Sequence, residues 1–122
     1  MATKKIGGII TLKIDGRQYS AKGNFTYNLG SPKREAVVGA DGIHGFKEMP
    51  QVAFIEGEIT DDVSTDLKAL TNATGVTVNL DLANGKSIIL RDSWFAGEGT
   101  GNTEEGNVSV RYESASEGEE IQ

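Results

Sequence analysis

Apolar and polar positions alternate with a period of two over much of this chain, the mark of strands with one buried face. Over residues 18–28 every even position is polar (Gln18, Ser20, Lys22, Asn24, Thr26, Asn28), while Tyr19, Ala21, Gly23, Phe25 and Tyr27 fill the odd ones. Upstream, Ile10, Leu12 and Ile14 alternate with Thr11 and Lys13. Asp15-Gly16 between the two runs has the chemistry of a two-residue type I′ hairpin turn. Such a turn sets Ile14 opposite Arg17, Leu12 opposite Tyr19 and Ile10 opposite Ala21, so the apolar faces coincide.

A second hairpin follows from the same test. Val76, Val78, Leu80 and Leu82 alternate with Thr77, Asn79 and Asp81, and Ile88 and Leu90 resume after Asn84-Gly85. A two-residue Asn-Gly loop would put Val78 opposite Arg91. A three-residue loop, Ala83-Asn84-Gly85, instead pairs Leu80 with Ile88 and Val78 with Leu90, and is preferred. The same alternation puts Ile89 and Phe95 on the opposite face, beside Ser87, Arg91 and Ser93.

Further strands are expected over 33–38, after the Ser31-Pro32 turn, over 52–60, and at the end, where Val108, Val110 and Tyr112 alternate with Ser109, Arg111 and Glu113. One short helix is expected over 63–71, with Asp62 as its cap, Asp66 in its first turn and Gly75 beyond its end. Barely two turns long, it depends on packing a Val63, Leu67 and Leu70 stripe onto a sheet. The expected fold is therefore mainly β: an antiparallel sandwich or small barrel of about seven strands with one short α-helix.

Three stretches look unlike ordinary turns. Residues 39–50 read as an extended loop punctuated by Gly39, Gly42 and Gly45 and carrying Ile43, Phe46 and Met49. Residues 97–106 are glycine and acid and read as a flexible loop. The division expected is one β domain over 1–113, with 114–122 as a flexible acidic tail.

Composition narrows the chemistry. In 122 residues there are 12 Lys and Arg against 18 Asp and Glu, a formal charge of −6. That balance argues against a protein that grips phosphates through clustered cations. With no Cys, disulfide scaffolds, thiolate zinc sites and Cys nucleophiles are excluded, and with a single His so is a His-rich metal site. The Ile6–Ile10 stretch is too short and glycine-broken for a signal sequence, and no run of about 18 apolar residues offers a membrane span. Folding in a cytoplasm, without membrane insertion, is the expectation.

Candidate catalytic groups do not assemble into a pattern. His44 has Asp41 and Glu48 near it in sequence but no positioned nucleophile. Glu56, Glu58, Asp61 and Asp62 are acidic, yet lack EF-hand spacing, and Glu56 and Glu58 at i and i+2 of a strand share a solvated face. Gly97, Gly99 and Gly101 lack the strand, GK[ST] and helix of a phosphate loop. No enzyme activity and no cofactor are expected. Surplus apolar surface in a small domain instead suggests a subunit of an assembly. A monomeric β-sandwich module that binds a ligand through 39–50 or the Trp94 face is the alternative.

Several of these residues also carry a resemblance. Asp15-Gly16 with its amphipathic strand, the Ser31-Pro32-Lys33-Arg34 turn, and above all Val38-Gly39-Ala40-Asp41-Gly42-Ile43-His44-Gly45-Phe46-Lys47-Glu48-Met49-Pro50 leading into Phe54-Ile55-Glu56-Gly57 resemble the tail tube proteins of Mu-type contractile phages. The resemblance implies a virion protein that assembles with itself into hexameric rings, stacked as a hollow tube. It implies a sheath protein around that tube, a tape measure protein in its lumen, baseplate and tail-terminator proteins at its ends, and DNA that passes through without specific binding. On that expectation Ile43, His44, Phe46 and Met49 are candidates for a subunit interface, and Glu56 and Glu58 for the lumen wall.

Overall fold

The computed structural model describes residues 10–61, 66–104 and 106–122. Ten strands and one helix follow in the order β1 (Thr11–Ile14), β2 (Arg17–Asn28), β3 (Lys33–Gly39), β4 (Gly42–Met49), β5 (Ala53–Thr60), α1 (Leu67–Thr71), β6 (Val76–Asp81), β7 (Ser87–Phe95), β8 (Gly101–Asn102), β9 (Asn107–Ser114) and β10 (Glu119–Ile121). Eight strands form one antiparallel sheet in the order β10-β7-β6-β1-β2-β5-β9-β8, and β7 also pairs with β9. That extra pairing folds the sheet over on itself into a sandwich-like shell. Among the described residues the other two strands, β3 and β4, pair only with each other.

Both short hairpins form in the expected register. Ile14 faces Arg17 and Leu12 faces Tyr19, across a turn in which Asp15 and Gly16 have φ of 51° and 85°, as type I′ requires. Leu80 faces Ile88 and Val78 faces Leu90. The Leu82 amide donates to the Lys86 carbonyl at 2.8 Å, which closes the three-residue loop. The inward rows meet in a core of Leu12, Ile14, Tyr19, Ile55, Ile59, Val78, Leu80, Ile88, Leu90, Val108, Val110 and Tyr112. Tyr112 is fully buried, donates its hydroxyl to the Leu70 carbonyl at 3.1 Å and meets the Phe95 ring edge-on at 5.4 Å. Burial raises its pKa above the usual phenol value.

Register shifts interrupt two strand pairings of the large sheet. Between Lys22 and Thr26, β2 advances four residues while β5 advances two, from Glu58 to Glu56. The surplus is even, so the in-out phase survives, and the Phe25 ring folds over Gly57. A Cβ at Gly57 would lie 2.6 Å from that ring. Gly57→Ala is therefore expected to lower stability by about 1–3 kcal/mol through overpacking, read as a fall in Tm on thermal unfolding.

On β7 the surplus is odd. Val76 pairs with Ser93 but Val78 with Leu90, two steps on β6 against three on β7, and Asp92 takes the extra position at φ 54°. One inserted residue exchanges the faces. Ser93 is buried, and Phe95 packs against the core on the same side as Leu90, contrary to the face that unbroken alternation assigns.

The helix is shorter than expected and capped differently. The Asp66 carboxylate accepts from the Ala69 amide at 3.1 Å, so Asp66 is the cap itself rather than a first-turn residue. Asp62 and Val63 lie outside the described residues. Leu70 is buried and Leu67 packs on the core, so the apolar stripe docks the helix as anticipated.

Segments read as loop or tail supply the strands beyond seven. Residues 42–49 form β4 rather than part of an extended loop, because pairing with β3 satisfies their backbone groups despite the interspersed glycines. Residues 101–102 pair with β9 inside the glycine-rich stretch. In the acidic tail, Glu119–Ile121 pairs with β7, where Arg91 and Lys86 offset its charge at 3.1 and 3.3 Å.

Candidate assembly surfaces

The β3–β4 hairpin is an arm that turns at Ala40 and Asp41. Its register pairs Arg34 with Glu48, Ala36 with Phe46 and Val38 with Ile43, which places these six on one face. Lys33 with Met49, Glu35 with Lys47 and Val37 with Gly45 occupy the other. The first face is polar at its base, where the Arg34 guanidinium meets Glu48 at 3.2 Å and lies 5.0 Å from the centre of the Phe46 ring. Toward the tip it is apolar and bare: Val38, Ile43 and Phe46 are 70%, 75% and 58% exposed. The second face is bridged by ion pairs from Glu35 to Lys33 and Lys47.

His44 is the surplus residue of the arm, since Val37 pairs with Gly45 but Val38 with Ile43. Its ring lies across Gly39, where a Cβ would fall 2.3 Å from it, so any side chain there would displace the ring. The ring nitrogen Nε2 bonds the Asp41 carboxylate at 2.6 Å, and that bond lowers the pKa of Asp41. This arrangement shapes a turn; among the described residues no nucleophile completes it.

The four interface candidates thus separate. Ile43 and Phe46 share the apolar face, whereas Met49 stands at the base of the opposite face and His44 holds the tip. Val38 and Ala36 belong with Ile43 and Phe46 and were not singled out from sequence. Their alternation within 33–38 was visible, but its value depended on finding the partner strand.

A second surface is the outward face of β2, β5 and β9. Thr26 faces Glu56, which faces Arg111; Glu58 faces Ser109. Glu56 and Glu58 do share a face, and both line a groove with Asn24, Thr26, Glu98 and Arg111. Arg111 lies in the groove between Glu113 at 2.7 Å and Glu56 at 3.4 Å, with the Phe54 ring 4.1 Å below its guanidinium. Hydrogen bonding to Glu113, then the attraction of Glu113 and Glu56, raises its pKa. Glu58 accepts from the Asn107 side chain. The described residues of this face carry Glu56, Glu58, Glu98 and Glu113 against Arg111 and, by register, Lys22, the residue opposite Glu58, so its charge is negative. Among the described residues no group of three or more His, Asp or Glu is arranged to hold a metal ion, and no helix is long and apolar enough to cross a membrane.

Residues 3–119 match the profile of a family described as phage tail tube protein. The chain is also similar to the Mu-like prophage FluMu tail tube protein of Haemophilus influenzae, at 30% identity over 100 residues, covering 82% of this chain and 83% of that one.

Proposed function

Because the chain belongs to the phage tail tube protein family, and is thus a structural component of the virion rather than an enzyme, we propose that it forms hexameric rings that stack head to tail as the hollow tube of a contractile tail. The genome passes down that tube during ejection. Sheath protein surrounds it, tape measure protein fills it before ejection, and baseplate and tail-terminator proteins close its ends.

The observation that carries this reading is the arm. A two-stranded hairpin is marginal on its own in water, and this one exposes Val38, Ile43 and Phe46 together on one face. A contact with another copy covers that face. Ile43 and Phe46 are its apolar anchors, His44 contributes by shaping the tip over Gly39, and Met49 contributes at the base. A heterologous contact of this kind closes into rings when its rotation permits, and the ring faces then repeat along an axis.

Glu56 and Glu58 belong, in this reading, to the lumen wall. Their face keeps an excess of carboxylates even with Arg111 held between two of them. Electron microscopy of the purified chain tests the assembly: tubes of uniform width with six subunits per ring are expected. A protein that stays monomeric at every concentration, seeded or not with tail tubes, would refute it.

A further inference from the structure

The C-terminal strand extends the pairing of β9 with β7. β7 is bonded to β6 on one edge, and its other edge is shared by β9, which pairs with residues 93–95, and β10, which pairs with residues 87–89. Between the Ser93–Ser114 and Ile89–Glu119 pairs β7 advances four residues and the tail five, so the tail runs on along the same edge past a one-residue bulge.

What holds β10 there is peripheral. Glu119, Glu120 and Ile121 are all exposed, Ile121 at 48%, and none contributes to the core. The attachments are three backbone pairings, the Arg91–Glu119 and Lys86–Glu120 ion pairs, and a bond from the Gly118 amide to the Leu29 carbonyl at 2.7 Å. The bend before it, residues 115–117, is exposed. Gly118 at its root lies against Leu90 and Leu29, but residues 119–121 themselves leave without opening the core, and their departure bares a sheet edge that templates another strand.

We propose that β10 is exchanged between neighbouring subunits, seating on the β7 edge of the next copy when the chain assembles. The occupant is a second copy of this chain because the segment fitted to that edge is β10 itself: Glu119 answers Arg91 and Glu120 answers Lys86. Every copy in a symmetric assembly offers one strand and one edge, so exchange keeps each of these contacts and adds a tether between subunits. This inference rests on the self-assembly proposed above.

Arg91→Glu and Glu119→Arg test it, both at exposed positions. Each single variant opposes like charges and is expected to raise the concentration needed for tubes by about threefold or more. The doubly swapped chain is expected to return to the wild-type value. An equimolar mixture of the two single variants then decides: exchange restores the pair between chains, and the mixture assembles as readily as the double variant. A mixture no better than either variant alone overturns exchange. Because the chain has no Cys, disulfides give a second readout. Ile89 and Glu119 are cross-strand partners, within disulfide reach. Tubes from mixed Ile89→Cys and Glu119→Cys chains are expected to yield cross-linked dimers on oxidation. If no dimers form while the double-Cys chain closes on itself, β10 stays with its own subunit. Wild-type tubes that fail these tests overturn the exchange alone, whereas a wild-type chain that forms no tubes overturns the tube reading as well.

Discussion

Phe46→Asp is expected to give a folded chain that no longer forms tubes. The Phe46 ring touches its own chain through Arg34 on the arm and is 58% exposed, so its loss leaves the core untouched and circular dichroism and Tm close to wild type. Assembly is where the cost falls. An unpaired charge forced into an apolar contact costs about 3 kcal/mol or more, about a hundredfold or more in association constant at every copy of that contact. Ile43→Asp, on the same face, is expected to behave alike. Val37→Asp, across the hairpin from that face, is expected to cost much less, so the pair reads out which side of the arm is covered. Sedimentation over a range of concentrations measures all three. Normal tubes from Phe46→Asp would remove the arm face from the interface.

That experiment targets a surface only half legible in the sequence. The β1–β2 and β6–β7 hairpins were readable because their information is local: a turn of known type and two apolar rows that must meet. The arm hairpin is equally local, yet Gly42, Gly45 and the surplus His44 interrupt its alternation, and β4 therefore looked like loop. Without β4, the pairing of Val38 with Ile43 and Ala36 with Phe46 had no basis. The one-residue bulge at Asp92 was hidden for another reason, since an aspartate on a strand surface looks the same whether or not it takes an inserted position. β10 was hidden because what attracts its carboxylates, Arg91 and Lys86, lies about 30 residues earlier and is brought near only by the tertiary fold. Glu56 and Glu58 were recognisable as one face from their spacing alone. The pairing of Glu56 with Arg111 follows from the β5–β9 register, which no local pattern encodes.

Reversing those two carboxylates, Glu56→Lys with Glu58→Lys, is expected to leave tubes intact and convert a bore that lets DNA slide into one that holds it. Duplex DNA carries one phosphate charge per about 1.7 Å of its axis, so a cationic lining engages it over the whole length of the tube. In the tube proposed above, every stacked ring repeats the substitution, and the narrow bore adds the fields of its subunits. Arg111 strengthens the effect: with Glu56 replaced it keeps Glu113 alone as partner, so less of its charge is offset beside the two new ammonium groups. Screening acts over about 8 Å at physiological ionic strength, so the hold is expected to weaken as salt rises, whereas wild-type tubes retain little DNA at any salt. Retention of labelled duplex by purified tubes, with ejection from assembled tails as the second measurement, reads the outcome. If variant tubes hold no more DNA than wild type and ejection proceeds unchanged, the β2–β5–β9 face does not line the bore.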